Sequence, residues 1–203
     1  MSSDVGSLDP AHVTGAVEYE IAHAVFPPLV ALDADLKPVD WAAKSHEVTG
    51  DGLTWTFYLN RGMRWSEIES IDSAVFANSI NRTLDPCTRS EVAHYLFSIS
   101  GAVAFHTSAC PAGAYTSAQT LVGSSIIVSD PLTLQIKLGA PDSSFLFALT
   151  TPGAWAVPER LLKIYLDHWT EHLADGRGLG GDLFLVRDWD HKGHLNLVAN
   201  DRF

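Results

Sequence analysis

DGLTWTFYLNRGMRWS, residues 51–66, decides the fold of this chain. Asp51-Gly52 favours a tight hairpin turn, because both residues tolerate the left-handed backbone such a turn needs. Leu53, Trp55, Phe57 and Leu59 then alternate with Thr54, Thr56 and Tyr58, the period of a strand with one apolar face. SHEV, just before the turn, supplies the partner strand. The alternation puts Trp55 and Phe57 on the apolar face of the hairpin, and these rings, with Trp65, belong to a core rather than to a binding surface.

Upstream, LDPAHVTGAVEYEIAHAVFPPLVALD (8–33) reads as a turn and a short extended piece, then a helix, then a strand over residues 29–32. Val17, Ile21, Ala24 and Val25 carry the helical period, and Pro27-Pro28 ends it because proline donates no hydrogen bond to a last turn. Downstream, IDSAVFANSINRTLDP (71–86) predicts a helix capped by Asp72 or Ser73 and closed before Asp85-Pro86. EVAHYLFSISGA predicts a short helix that runs into a long Ala/Ser/Thr/Gly-rich connection, residues 101–125. IIVSDPLTLQIKL is two strands joined at Asp130-Pro131, and SSFLFALT is a short apolar helix. PERLLKIYLDHWTEHLA (158–174) predicts one longer helix with Pro158 in its first turn. LFLVRDWDHKGHLNLVANDRF closes the chain as a hairpin turning at residues 191–193. Hairpins and segregated helices together give an α+β fold, a mixed sheet with hairpins and flanking helices, rather than a βαβ wind.

Composition bounds the function. At 203 residues the chain holds an ample core. Thirteen basic against 24 acidic residues leave a formal net charge of -11 with no local Lys/Arg cluster, which excludes nucleic acid as a partner. No apolar run approaches the roughly 20 residues that cross a bilayer. The opening MSSDVGSLDP shows neither the basic start nor the apolar centre of a signal peptide. Cys87 and Cys110 are the only cysteines, each in a turn-like context, LDPCTRS and TSACPAG. They form either a disulfide or two free thiols; a bond would close a surface excursion, contribute about 3 kcal/mol and point to an exported protein.

Three separated stretches, in order, resemble the family 5 extracellular solute-binding proteins, the substrate-binding components of peptide, nickel and oligosaccharide ABC importers. Residues 51–66 follow the family pattern DG-[LV]-[TE]-[YW]-[TE]-[FV]-x-L-[RK]-x-G-[VM]-x-[WF]-[ST] almost throughout, after an LDP turn and FPPLVALD and before a helix ending in NRTLDP. IIVSDPLTLQIKL resembles the family's strand pair around an aspartate. GLGGDLFLVRDWDHKGHLNLVANDRF resembles its Gly-rich segment, which ends in an asparagine, two residues and an aromatic. Two stretches depart from the pattern. Trp65-Ser66-Glu67-Ile68-Glu69-Ser70 lacks the turn glycine of W-S-D-G-x-P, and Gly181-Asp182-Leu183-Phe184 replaces Gly-Pro-Phe.

The resemblance implies the N-terminal part of lobe I of a class II periplasmic-binding-protein-like fold. Residues 1–44 and about 178–203 would form the main sheet subdomain, and about 45–177 an inserted subdomain of hairpins and helices. Family members are much longer, so the second lobe and the strands that complete the first would lie in the remaining half of a full-length protein. The function implied is non-catalytic: capture of a peptide or other small solute in an interlobe cleft and delivery to an ABC permease, with no cofactor. Extracellular or periplasmic location, with a lipoprotein anchor in the full-length parent, follows from the same resemblance. A similar domain also serves as the ligand sensor of some cytoplasmic transcriptional regulators, for which free cysteines are expected.

Three stretches correspond to segments that face the ligand in the family: Thr14, Gly15 and Ala16 before the first helix; Tyr95 and Phe97; and Pro152, Gly153 and Trp155 in a loop able to present an indole. Each also has an ordinary reading, in which Gly15 serves the turn, Tyr95 and Phe97 belong to the core, and Trp155 packs within the lobe. One motif points elsewhere. HWTEH, residues 168–172, fits H-x-x-E-H, in which two histidines one helical turn apart hold zinc and a glutamate activates water. A zinc hydrolase using His168, Glu171 and His172 needs a third ligand from a distant helix, and the residues that follow read as strands. His191 and His194 flank a turn and are the only other pair nearby. No metal site is therefore expected.

Overall fold

The computed structural model describes residues 6–65, 69–175, 178–190 and 193–201. The hairpin forms as its sequence requires. β3 (Ala43–Val48) pairs with β4 (Thr54–Leu59), with Val48 opposite Trp55 and His46 opposite Phe57. The Asp51 carboxylate organises the turn by accepting from the Thr49 hydroxyl at 2.5 Å and the Leu53 amide at 3.0 Å. Burial along β4 alternates, with Trp55, Phe57 and Leu59 inside. The Asp130-Pro131 hairpin, β5 (Ile126–Asp130) and β6 (Thr133–Lys137), joins it, giving a four-stranded sheet of order β3-β4-β6-β5. Leu134 and Ile136 continue the buried face opposite Phe57 and Trp55.

Two smaller pairs stand apart. β1 (Val30–Leu32) pairs with β2 (Pro38–Asp40), and β7 (Phe184–Asp190) with β8 (His194–Ala199). The fold is α+β with hairpins and flanking helices, as expected. Where one mixed sheet is expected, however, the named strands of the described residues form three antiparallel sheets. Connections of two to five residues return the chain antiparallel within each hairpin, and the β4–β6 pairing joins two hairpins distant in sequence. β3 opens at Ala43, so its first residues fall on the near side of the subdomain boundary expected at 44.

The helices pack on these sheets. α1 (Ala16–Val25) stops at Phe26, before the proline pair. α2 (Ser73–Leu84) is capped by Asp72, whose side chain accepts from Ala74 and Val75 amides. The expected connection from 101 to 125 contains a helix, α3 (Ala102–His106), because Ala102 and Phe105 find the core against α2. α4 is Phe145–Leu149. The single helix expected over 158–174 is two: α5 (Glu159–Tyr165), then a 3-10 helix over Leu166–His172, with a break at Leu166 where φ is 52°. Pro158 caps α5 instead of entering it.

The break at Leu166 lets Trp169 turn inward. Its indole is fully buried, stacks edge-on against Phe26 at 5.6 Å, and donates to Asp9 Oδ2 at 3.0 Å. Asp9 also receives a fork from Arg82 of α2, Nη1 to Oδ1 at 2.9 Å and Nη2 to Oδ2 at 2.5 Å, and the Ala11 amide at 3.0 Å. Burial alone would raise the Asp9 pKa; the Arg82 charge and the bonds from Arg82 and Trp169 outweigh it and hold the carboxyl below its ordinary value.

Asp182 is the opposite case. It is fully buried, accepts from Trp41 Nε1 at 3.2 Å through Oδ1, and leaves Oδ2 without a partner. Its backbone ties the last hairpin to the end of α1, since Gly181 and Asp182 amides both donate to the Val25 carbonyl and Asn200 Nδ2 donates to the Asp182 carbonyl. Burial pushes the Asp182 pKa up to about 6.

Two outcomes follow from these carboxylates. Asp9→Ala strands the Arg82 charge and is expected to cost about 3–5 kcal/mol in urea unfolding at pH 7. For Asp182 the folded pKa lies above the ordinary 3.8, so folding takes up a proton between these values and stability falls as pH rises from about 4 to about 6. Asp182→Asn is therefore expected to stabilise by about 2–3 kcal/mol above pH 7 and to show no gain near pH 4, measured by denaturation across pH.

Candidate functional site

Two of the candidate stretches, and the helix that follows the third, pack around one buried turn. Residues Pro152–Ala154 form a 3-10 turn that packs against α1, α4 and the 3-10 turn Ala93–Leu96. Gly153 is there because the turn runs close under α2: a Cβ would come within 3.0 Å of the Thr83 methyl and 3.3 Å of Val92. Trp155 follows and is also buried. Its Nε1 donates to the Thr150 carbonyl at 3.1 Å, and its ring meets Tyr19 at 5.2 Å and His23 at 5.3 Å on α1. The loop expected to present an indole thus keeps it inside. The driving force is the large apolar area of the ring, which outweighs its single donor once Thr150 satisfies it.

The other candidates reach the surface. Thr14 and Ala16 are exposed at the start of α1, and Gly15 is half-buried because the Glu18 carboxylate folds back over it. Tyr95 is 48% exposed, with the His94 ring against it at 4.1 Å. Phe97, two residues on, is half-buried and turned toward His106 at 5.3 Å.

Beside Tyr95 is an open depression of about 480 Å³, whose walls include Phe147 and Ala148 of α4, Ser98 and Asp142. Phe147 is 49% exposed. Asp142 Oδ1 accepts from the Ser144 amide at 2.8 Å and its hydroxyl at 2.6 Å, which fixes the turn into α4. The Ser144 hydroxyl bond is the main cause holding the Asp142 carboxyl below its ordinary pKa. Asp142 and Phe147 carry no family signal in sequence. Only PDSS, an aspartate two residues before a serine at a helix start, hints at the turn that positions them.

A second groove, of about 500 Å³, lies between α2, α5 and residues 115–120. Its polar groups largely serve one another: Asn81 accepts from Thr120 and Leu121, Asp85 from Ser117, and Glu159 pairs with Lys163. The Tyr95 depression contains a residue of the candidate stretches and is the surface considered for a ligand.

The HWTEH stretch is not a metal centre. A 3-10 helix has about three residues per turn, so residues four apart point roughly 120° away from each other. His168 Nδ1 bonds Glu171 Oε1 at 2.9 Å, while His172 Nδ1 bonds Asp175 at 2.9 Å and its ring stacks on Tyr165 at 3.4 Å. Among the described residues no three His, Cys, Asp or Glu side chains are grouped to hold a metal ion. His194 bonds Asp188 at 2.7 Å; His191 lies outside the described residues, as do Ser66, Glu67 and Ile68 and the closing Phe203.

Cys87 and Cys110 are joined in a disulfide, Cα atoms 4.9 Å apart. The bond ties the end of the α2 turn to the chain beyond α3, and the Asp85 carboxylate accepts from the Ser117 amide to hold the same excursion.

Shallow aromatic and hydroxyl-lined surface around a rigid buried turn is the equipment of a binding module. Comparison with known proteins places it more narrowly. Residues 37–203 match the family described as Bacterial extracellular solute-binding proteins, family 5 Middle, and the chain belongs to that family. Solute-binding proteins of this family are not enzymes. The chain is 29% identical over 189 residues to the periplasmic oligopeptide-binding protein OppA of Escherichia coli K12, covering 92% of this chain and 32% of the relative. It is 26% identical over 201 residues to the oligopeptide-binding protein OppA of Bacillus subtilis, covering 97% and 34%. It thus spans about a third of the length of these curated relatives. Among solved structures, the substrate-binding domain of an oligopeptide ABC transporter from Bacillus anthracis superposes with a TM-score of 0.85 at 25% identity, over 98% of this chain and 36% of that one. Burkholderia pseudomallei OppA gives 0.84 at 24%, over 99% and 37%, and shares the fold.

The disulfide yields a direct test. Cys110→Ser is expected to lower the unfolding free energy by about 3 kcal/mol and to make urea unfolding insensitive to reductant, whereas the wild type loses the same amount when reduced.

Proposed function

We propose that this chain is the N-terminal part of lobe I of an exported substrate-binding component of an ABC importer. Its ligand is a peptide or other small solute, held in a cleft whose second wall comes from the remaining half of the full-length protein. Residues 1–44 and about 178–203 serve as the main sheet subdomain and about 45–177 as the inserted one. The lobes close around the ligand by hinge motion, and the membrane permease takes up the closed form. A lipoprotein anchor in the full-length parent fits an extracellular or periplasmic location.

The observation that carries this reading is the half-exposed Tyr95 beside an open depression, in a chain of the solute-binding family. Thr14, Gly15, Ala16 and Tyr95 are the proposed ligand contacts, with Phe97 at their edge. Pro152, Gly153 and Trp155 act beneath the surface, positioning α1 and the Tyr95 turn. That the relatives are oligopeptide-binding proteins supports a peptide as ligand. The disulfide favours this reading over a cytoplasmic sensor, whose cysteines would stay reduced.

In the full-length protein, a bound peptide at a hundred times its Kd is expected to add about 2.7 kcal/mol of stability, seen as a rise in Tm. Tyr95→Ala should weaken that peptide about ten-fold, as removal of an aromatic contact does. The 203-residue chain alone should show neither a shift nor saturable binding. Micromolar binding by this chain alone would overturn the two-lobe mechanism.

A further inference from the structure

The depression beside Tyr95 has polar atoms left over. Asp142 spends Oδ1 on both Ser144 bonds, and Oδ2 has no hydrogen-bond partner among the described residues. The Ser98 hydroxyl is sealed from solvent beside Asp142 and helps to hold its pKa down. Among the described residues that line it, Asp142 is the one carboxylate and no lysine or arginine is present; the remaining nitrogen-bearing side chain on the wall is the imidazole of His94. Tyr95 and Phe147 meanwhile offer half-exposed ring faces.

A cation answers every one of these groups. The carboxylate attracts it by charge, the ring faces by their quadrupoles, and an N–H donor satisfies the lone pairs of Asp142 Oδ2. An acidic group meets the reverse field, in a chain whose net charge is already -11. A neutral apolar group would cover the rings but leave a carboxylate oxygen unpaired, which costs more than the contact returns. The volume, about 480 Å³, lies within the range of ligand pockets, and the apolar wall of Phe147 and Ala148 suits an aliphatic stem.

We infer that this depression is the pocket for a basic side chain, arginine or lysine, of a bound peptide, with Asp142 as its specificity residue. This rests on the peptide-binding reading above. Arginine is favoured over lysine, because a planar guanidinium can stack on Tyr95 while its fork reaches the Asp142 carboxylate.

The test is calorimetric titration of the full-length protein with matched pentapeptides carrying arginine, alanine or glutamate at each position in turn. At one position arginine should bind about ten-fold tighter than alanine, and glutamate weaker than alanine. Asp142→Asn keeps the Oδ1 that fixes the turn, and should reduce the arginine-to-alanine ratio below about two-fold. Phe147→Leu, which keeps bulk but removes the ring, should reduce the ratio by a smaller factor. If peptides bind but no position separates arginine from alanine, or if Asp142→Asn leaves the ratio intact, the pocket is wrong and the peptide reading stands. If no peptide binds, both fall together.

Discussion

The Asp9 carboxylate is the interaction on which the other packing depends. It accepts four hydrogen bonds: the Ala11 amide, two arms of Arg82 and the Trp169 indole. These groups come from the N-terminal turn, from α2 and from the 3-10 helix after α5, three segments far apart in sequence. A charge so deeply buried is tolerable only when fully paired, and here each oxygen has two donors. The anchored turn continues at once into Thr14, Gly15 and α1, and Ser90 reinforces it by donating to the Ala11 carbonyl at 2.6 Å. Placement of the proposed ligand surface is thus inherited from a salt bridge that no ligand touches.

Asp182 shows what the same side chain does without a cation. Its donors are one indole and the backbone, and its second oxygen faces only protein. Both carboxyls are pushed up by burial and accept from an indole; at Asp9 the Arg82 charge and hydrogen bond are the largest opposing influences, and Asp182, raised to about 6, has no such cation. Asp182 occupies the position where the family pattern has lost its proline. The neighbouring Gly181 is pressed against Trp65 and Ile71, where a Cβ would meet atoms 2.5–2.9 Å away. The backbone here is held by close packing on both sides, so the carboxyl has no room to turn toward water.

Legibility in the sequence followed the range of the forces involved. The Asp51-Gly52 hairpin, the Asp72 cap and the helix stop at the proline pair are local, and local rules place them. Pairing of Cys87 with Cys110 was one of two open readings, because proximity of the two excursions depends on α2 and α3 packing. What failed was set at long range. Trp155 is adjacent to a glycine and a proline in a loop-like context, yet Tyr19 and His23, over a hundred residues earlier, enclose it. Amphipathic spacing over 158–174 favours one helix, but Asp9 requires the Trp169 indole to point inward and the helix breaks at Leu166 to allow it. The same demand dismantles the apparent zinc motif, since the rearranged turn sends its two histidines to different carboxylates.

The proposed ligand surface separates what must stay rigid from what is free to vary. Gly153 has no room for a side chain, and Trp155 is locked by its neighbours, so the turn beneath the surface tolerates little change. Asp142 sits one layer out, on a helix-entry turn. There only one of its two oxygens does structural work, and the turn needs an acceptor rather than a charge. Asparagine would keep that bond while erasing the charge. A family whose members share one scaffold can therefore change what a pocket attracts at such a position without disturbing the fold that holds it. In this chain the acceptor is a carboxylate, and in the proposed pocket its second oxygen would set the sign.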